Sequence, residues 1–378
     1  MHPDLITVNL LTFCNMTTTS ALFRAGLVGF GTAATFFHLP LLQASGRFEV
    51  THVVERTQSL SRSVLPNATI VRSVEALLAA TPPVDVVVIA TPTNLHYAQA
   101  KLALLAKKHV VVDKPFCVSH AEAMELVALA ASQGVLLTVF HNRRWDSDFL
   151  TVQDLLRQNL LGHVEYVEIH FDRFRPEPKH NWKEDPAIGG GGLLYDLGSH
   201  LVDQMLVLFG PPASIQAKVE TQRHYGSSSV GTDDYFHLTC QYDSGLVVVV
   251  TAGMLVAEIG PKFILRGTNG SFEKYGLDAQ EASLRIGGSP ATDPTFGVED
   301  ESLWGTWTKG PNAGERVPSQ RGNYVAYYKG VADAIQHGTP APVRAEDAAR
   351  VIEILEQAKA HHVAPPASTA NRTTALTG

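Results

Sequence analysis

The sequence predicts an α/β domain with a parallel sheet buried on both faces, followed by an α+β domain built on a mostly antiparallel sheet. Three observations predict this. β-branched runs alternate with helical segments up to residue 140. A glycine-rich turn, Gly29-Phe30-Gly31-Thr32-Ala33-Ala34, joins the first run to the first helical segment. From residue 164 onward, strand-like runs follow one another with few helices between them.

The elements follow in order. Ala25 to Gly29 reads as the first strand, and Thr32 to Ala44 as a helix broken at Pro40. Phe48 to Val54 is a second strand and Val74 to Ala80 a short helix. Val84 to Ala90 is a strongly apolar third strand, Leu95 to Lys107 a helix, and His109 to Val112 a fourth strand. Ala121 to Gln133 and Val135 to Phe140 complete the first half as a helix and a strand. In the second half, Val164 to Arg173, Ser214 to Thr221, Tyr235 to Tyr242, Leu246 to Ala252 and Lys262 to Arg266 read as strands. The turn Tyr242-Asp243-Ser244-Gly245 makes two of them a hairpin. Helices over Asn323 to His337 and Ala345 to Ala360 close the chain.

A chain of 378 residues is long for one core, so two domains are expected, 21–141 and 142–362. Residues 1–20 read as a loose leader, with Met16 an alternative start, and 363–378 as a disordered tail. The apolar stretch Leu5 to Phe13 is interrupted by Thr7, Asn9 and Thr12 and lacks a basic flank. It makes a poor signal peptide and is too short to span a membrane. Apolar residues are 45% and charged residues 18% of the chain, ordinary for a soluble globular protein. The net charge of -7 and the lack of a basic run argue against nucleic acid. Three scattered cysteines, Cys14, Cys117 and Cys240, argue for a reducing compartment, hence a cytoplasmic protein.

The glycine turn has the pattern expected of a dinucleotide site. Gly29 permits the tight turn, and Gly31 lets the backbone approach a pyrophosphate at the helix N-terminus. Ala34 keeps the helix close to the sheet. Phe30 and Thr32 belong to the same loop. Glu55 ends the second strand where a carboxylate meets the adenosine ribose, which favours NAD. Its neighbour Arg56 instead suits the 2′-phosphate of NADP, so the choice of cofactor stays open. Thr91-Pro92-Thr93-Asn94-Leu95-His96 follows the third strand, with Asn94 a helix cap or ligand contact and His96 in reach of the ligand. Asp113-Lys114-Pro115 follows the fourth strand and sets a lysine at the mouth of the crevice. Four glycines, Gly189 to Gly192, leave the backbone free to fold against a ligand. Asp196 and His200 follow on one helical face. No Cys/His spacing forms a metal site.

Together, Gly29-x-Gly31-x-x-Ala34, Asp113-Lys114-Pro115 and Gly192-x-x-x-Asp196-x-Gly198-x-His200 resemble the Gfo/Idh/MocA family of nicotinamide-dependent sugar and polyol dehydrogenases. The family usually has Glu where this chain has Asp113. The segments His141 to Phe149, His170 to Pro176 and Gly322 to Tyr328 resemble its NADP-dependent scyllo-inositol dehydrogenases. The resemblance implies a Rossmann domain and an α+β domain with a large open sheet that forms a homodimer, or a tetramer. It implies hydride transfer between NAD or NADP and a secondary alcohol of a sugar or cyclic polyol. Lys114, His200 and Asp196 are then the catalytic candidates, with either Lys114 or His200 the base. Asn142 joins the cofactor contacts, and Arg143, Trp145, Asp172, Tyr235 and Tyr324 are candidate substrate contacts. A dinucleotide-sensing regulator of the same fold is the alternative, disfavoured because Lys114 and His200 are both present.

Overall fold

The computed structural model describes residues 22–179, 181–223 and 231–363. β1 (Phe23–Val28) enters the glycine turn, and the following helix has a π-helical turn (Ala34–His38) that leads into α1 (Leu39–Ser45). Pro40 does not break this helix. It occupies the first turn of α1, where a missing N–H is tolerated. Then come β2 (Phe48–Val54), β3 (Thr69–Val71), α2 (Val74–Leu78), β4 (Val86–Ile89) and α3 (His96–Leu105). β5 (His109–Val112), α4 (His120–Gln133) and β6 (Leu137–Val139) complete this half. The strands are parallel in the order β3-β2-β1-β4-β5-β6. The order reverses direction between β1 and β4, so the carboxyl ends of these strands open a crevice. All four residues of β4 are buried, as a strand covered on both faces requires.

The second half starts with α5 (Ser147–Arg157) and β7 (Val164–His170). A second π-helical turn (Leu194–Gly198) leads into α6 (Ser199–Phe209). β8 (Ser214–Glu220), β9 (Tyr235–Gln241), β10 (Val247–Gly253), β11 (Phe263–Gly267) and β12 (Gly270–Lys274) follow. The chain ends through α7 (Ala279–Arg285), β13 (Gly305–Thr308), β14 (Glu315–Val317), α8 (Val325–His337), α9 (Ala345–Lys359) and β15 (His362–Val363). The nine strands form one sheet in the order β14-β13-β12-β11-β7-β10-β9-β8-β15. β7 with β10 and β8 with β15 pair in parallel, and the other pairs are antiparallel. Phe236, Leu238 and Cys240 of β9 are buried and alternate with less buried neighbours, so one face of the sheet carries the core.

The expected α/β plus mostly antiparallel α+β fold is the one observed. Several short elements lie outside the sequence reading. β3 and β14 have three residues each, too few to display a period of two. α5 runs through a segment read as a motif. Val363, assigned to the tail, pairs with Glu220 in β15, while the rest of the tail and the leader lie outside the described residues.

α8 and α9 return to the first domain. Tyr328 Oη lies 2.6 Å from His38 Nδ1, and Tyr327 Oη 3.2 Å from Thr138 Oγ1. The Phe140 ring packs edge-on against Tyr327 with centroids 4.9 Å apart. Arg47 pairs with Asp333 at 2.8 Å, and Glu356 accepts from the His120 amide at 2.9 Å. Tyr327 is fully buried at this junction. Tyr327→Ala is expected to cost about 3–5 kcal/mol of stability, the usual range for truncating a buried aromatic. The drop is measured as a lower urea midpoint.

Candidate active site

A cleft of about 1030 Å³ lies between the two domains. One wall is the glycine turn. Gly29 has a φ of 88°, and a Cβ there would lie 3.0 Å from the Ala90 carbonyl oxygen. The turn is therefore closed to other residues by the strand behind it. At Gly31 a Cβ would meet no protein atom within 4 Å, so a side chain there would project into the cleft. This open space, beside amides at the start of a helix, fits the pyrophosphate of a dinucleotide. Phe30, Thr32, Thr91, Pro92, Asp113 and Asn142 also line the cleft. Ala34 is fully buried and holds the helix against the sheet.

Glu55 lines the cleft, but its carboxylate is engaged within its own loop. It accepts from the Leu60 amide at 2.8 Å, the Ser61 amide at 3.0 Å and Ser61 Oγ at 2.5 Å. Burial raises its pKa, yet these donors hold it below the ordinary glutamate range. Arg72 donates to the Glu55 carbonyl at 2.9 Å and fixes the same loop. Arg56, by contrast, is exposed at the rim of the cleft.

At the centre is Asp196, inside the second π-helical turn. π turns are rare and recur at functional sites. Lys114 Nζ donates to the Asp196 carbonyl at 2.7 Å and to Oδ1 at 3.0 Å. Lys183 Nζ donates to the same Oδ1 at 2.6 Å. Burial raises the Asp196 pKa, but the two ammoniums outweigh it and hold the carboxyl well below the ordinary range. Burial lowers the Lys114 pKa against the pull of Asp196. Asp113 caps the Lys114 amide at 2.9 Å and lies 3.6 Å from His38 Nε2.

His200 lines the cleft with its Nδ1 enclosed and unpartnered. Burial, Lys114 and Arg143 push its pKa well below neutrality rather than near it, so the ring is neutral. No hydrogen bond joins it to Asp196, although the two share one helical face. Two ammoniums are stronger partners for a carboxylate than a neutral imidazole. His141 lies nearby, with both ring nitrogens buried and unpartnered. Burial, Arg144 and Lys114 push it down to about 4.

Several expected contacts face elsewhere. His96 is buried as a clamp between the Pro115 and Thr91 carbonyls, both 2.9 Å from its ring nitrogens, and does not line the cleft. Asn94 is exposed outside the cleft and caps no helix with its side chain. Of the candidate substrate contacts, Arg143 lines the cleft, bonded to Asp146 at 3.1 Å and Glu281 at 2.5 Å. Trp145 packs on Tyr327, with centroids 5.8 Å apart. Tyr324 is fully buried and donates to Asp146 at 2.6 Å. Asp172 accepts from the Gly253 amide at 3.0 Å, and Tyr235 packs beneath Lys218, 5.9 Å from its ring centroid. Each of these four is held by protein partners away from the cleft. The glycine run has a packing reason too. A Cβ on Gly190 would lie 2.6 Å from a Thr93 methyl, and one on Gly192 would collide with the Asp233 carboxylate. Lys183 was missed in the sequence because no periodicity or motif marks its loop. The Gly192 amide, which donates to the Lys183 carbonyl at 2.7 Å, ties that loop to the run.

The fold and the cleft define a nicotinamide-dinucleotide-binding oxidoreductase. A family model described as "Oxidoreductase family, NAD-binding Rossmann fold" matches residues 23–141, and the GFO/IDH/MocA C-terminal domain matches 149–273. The chain belongs to the Gfo/Idh/MocA family. It is 36% identical over 339 residues to scyllo-inositol 2-dehydrogenase (NADP(+)) IolW of Bacillus subtilis, covering 89% of this chain and 92% of that one. It is 40% identical over 335 residues to the uncharacterized oxidoreductase YdgJ of Escherichia coli, covering 88% and 94%. The solved structure of yvaA from Bacillus subtilis superposes with a TM-score of 0.84 at 35% identity, covering 90% of this chain and 95% of that one. An oxidoreductase from Bacillus cereus superposes with a TM-score of 0.79 at 32% identity, covering 92% and 97%.

The depressed histidine pKa values set an acid limit on stability. His141 has a folded pKa of about 4 against an ordinary value of 6.5, so the unfolded chain binds its proton first. This contribution is whole above pH 6.5 and is lost as pH falls toward about 4, by up to about 3 kcal/mol. Urea unfolding across that range is expected to show the loss, and His141→Gln to flatten it. An equal slope in the variant would remove the assignment.

Proposed function

We propose that the protein transfers hydride between NADP and a secondary alcohol of a sugar or cyclic polyol. The observation that carries this is the shared position of the Lys114 ammonium and the neutral His200 ring in one cleft, opposite the glycine turn. Bound nicotinamide supplies the hydride acceptor or donor. Lys114, held by Asp196, directs a hydrogen bond and positive charge at the substrate oxygen as electron density builds there. His200, held neutral, takes the hydroxyl proton in oxidation and returns it in reduction. Asp196 positions Lys114 and keeps the ammonium charged.

The cofactor preference follows from Glu55. A carboxylate already engaged by three donors from Leu60 and Ser61 is a poorer partner for a ribose hydroxyl, which weakens the argument for NAD. Arg56, exposed at the rim, suits a 2′-phosphate. The NADP dependence printed for IolW supports this reading. The name of that relative also supports an inositol-like substrate. Assembly as a homodimer through the nine-stranded sheet, in the cytoplasm, belongs to the same proposal.

Lys114→Ala is expected to abolish alcohol oxidation, followed by nicotinamide absorbance with a panel of inositols, aldoses and anhydrosugars, while dinucleotide binding persists. Normal turnover would overturn the role of Lys114. In separate fluorescence titrations, NADPH is expected to bind at least tenfold more tightly than NADH, about 1.4 kcal/mol. Arg56→Ala is expected to erase that gap. A preference for NADH in the parent protein would reinstate Glu55 as the ribose partner.

A further inference from the structure

Apart from Arg56 at the rim, the cations that line the cleft fall into two groups. Lys114 and Lys183 share Asp196. Arg143 is held by Asp146 and Glu281, Arg223 by Glu184 and Asp234, and Arg285 by Glu281. The side chains of Arg173, Arg175 and Lys179 also line the cleft, yet among the described residues no carboxylate pairs with them.

Arg173 and Arg175 are not loose surface charges, while Lys179 is exposed beside them. The segment after β7 is clamped to the segment after β10. The Arg173 amide donates to the Gly253 carbonyl at 2.9 Å, the Arg175 amide to the Met254 carbonyl at 2.7 Å, and the Val256 amide to the Arg173 carbonyl at 3.0 Å. Extended backbone alternates its side chains. Arg173 and Arg175 therefore share one side, toward the cleft, while Phe174 between them is 59% exposed. The Arg173 guanidinium rests on the Phe171 ring, 4.9 Å from its centroid. Burial and the charge of Arg175 pull the Arg173 pKa below the ordinary arginine range, and Arg175 and Arg173 do the same to Lys179. Fixed cations that repel one another and face an open cleft are stabilised by an anion.

The phosphates of the cofactor have partners elsewhere. In the dehydrogenase reading above, the glycine turn and the helix behind it are the candidate pyrophosphate site, and Arg56 at the rim is the candidate partner of a 2′-phosphate. Arg173 sits on the second domain within electrostatic reach of Asp196, the partner of Lys114. Asp196 and Glu281 act on Arg173, and Glu184 on Lys179, only at longer range. A neutral polyol offers hydroxyls and brings no closer counter-charge to the three.

We propose that Arg173, Arg175 and Lys179 form an oxyanion subsite, and that the alcohol oxidised at Lys114 carries a carboxylate or phosphate group. This rests on the dehydrogenase reading above. The test compares matched pairs with NADP by nicotinamide absorbance: glucose against glucose 6-phosphate and glucuronate, and myo-inositol against its monophosphate. The anionic member of at least one pair is expected to show a kcat/KM at least tenfold higher. In Arg173→Gln/Lys179→Gln that ratio is expected to fall toward one, with the NADPH dissociation constant retained. Equal turnover of neutral and anionic members overturns the subsite and leaves the dehydrogenase reading standing. A parallel loss of NADPH affinity overturns it too, because the cations then serve the cofactor. If no alcohol is turned over, the dehydrogenase reading fails instead. Calorimetric titration of inorganic phosphate into the NADPH-loaded protein then decides the subsite: saturable binding lost in the double variant supports it, and absence of binding overturns it.

Discussion

One carboxylate oxygen organises the centre of this molecule. Asp196 Oδ1 takes a hydrogen bond from Lys114, on the loop after β5, and another from Lys183, on the loop before the glycine run. The contact therefore joins the parallel sheet to the antiparallel one across the cleft. It also fixes the height of the Lys114 ammonium, which the Asp196 carbonyl holds from a second direction. Without this acid, two ammoniums would face each other in a partly buried site, and Lys114, the more enclosed of the two, would carry the larger cost. The π-helical turn presents the carbonyl and carboxylate of one residue to the same lysine.

The charge state of the surrounding histidines follows from that arrangement. His200 and His141 lie among Lys114, Arg143, Arg144 and Lys183, and burial adds to the effect of those cations. Both rings are held neutral. A neutral ring close to a fixed ammonium divides the work of proton transfer and charge stabilisation between two side chains. The same region keeps deeper charges compensated. Lys262 lies between Asp146 and Asp148 at 3.3 and 2.6 Å, and Asp146 in turn braces Arg143 and Tyr324.

Much of this was legible in the sequence, for identifiable reasons. The glycine turn, the β-branched runs of β4 and β5 and the lysine at the end of β5 report local constraints, and local constraints leave local patterns. Lys114, Asp196 and His200 meet at one cleft, though no hydrogen bond joins the last two. What a side chain does after reaching its position is a tertiary matter. Glu55 has the spacing of a ribose ligand, but a short helical turn five residues on supplies nearer donors. His96 has the position of a ligand contact, but two carbonyls flank its ring. Trp145 and Tyr324 belong to two of the family-like segments, which together knit the start of α8 to the turn before α5, and sequence similarity does not separate that work from contact with a ligand. Lys183 carries no pattern at all, and Arg173, though it lies in the segment His170 to Pro176, acquires its cleft neighbours only through long-range folding.

The return of α8 and α9 to the first domain bears on how this polypeptide divides. Thr138 and His38 complete their polar contacts with tyrosines some two hundred residues or more downstream, and Phe140 is walled in by the same two rings. The covalent boundary between the halves is thus not a physical one. A fragment ending near residue 141 would expose the surface that Tyr327 and Tyr328 cover, together with the amide at the start of α4 that Glu356 caps. The dinucleotide half is consequently a client of the carboxyl-terminal helices. During synthesis it would wait, partly uncovered, while the chain from residue 141 to the end of α9 is made, on the order of tens of seconds at ordinary synthesis rates.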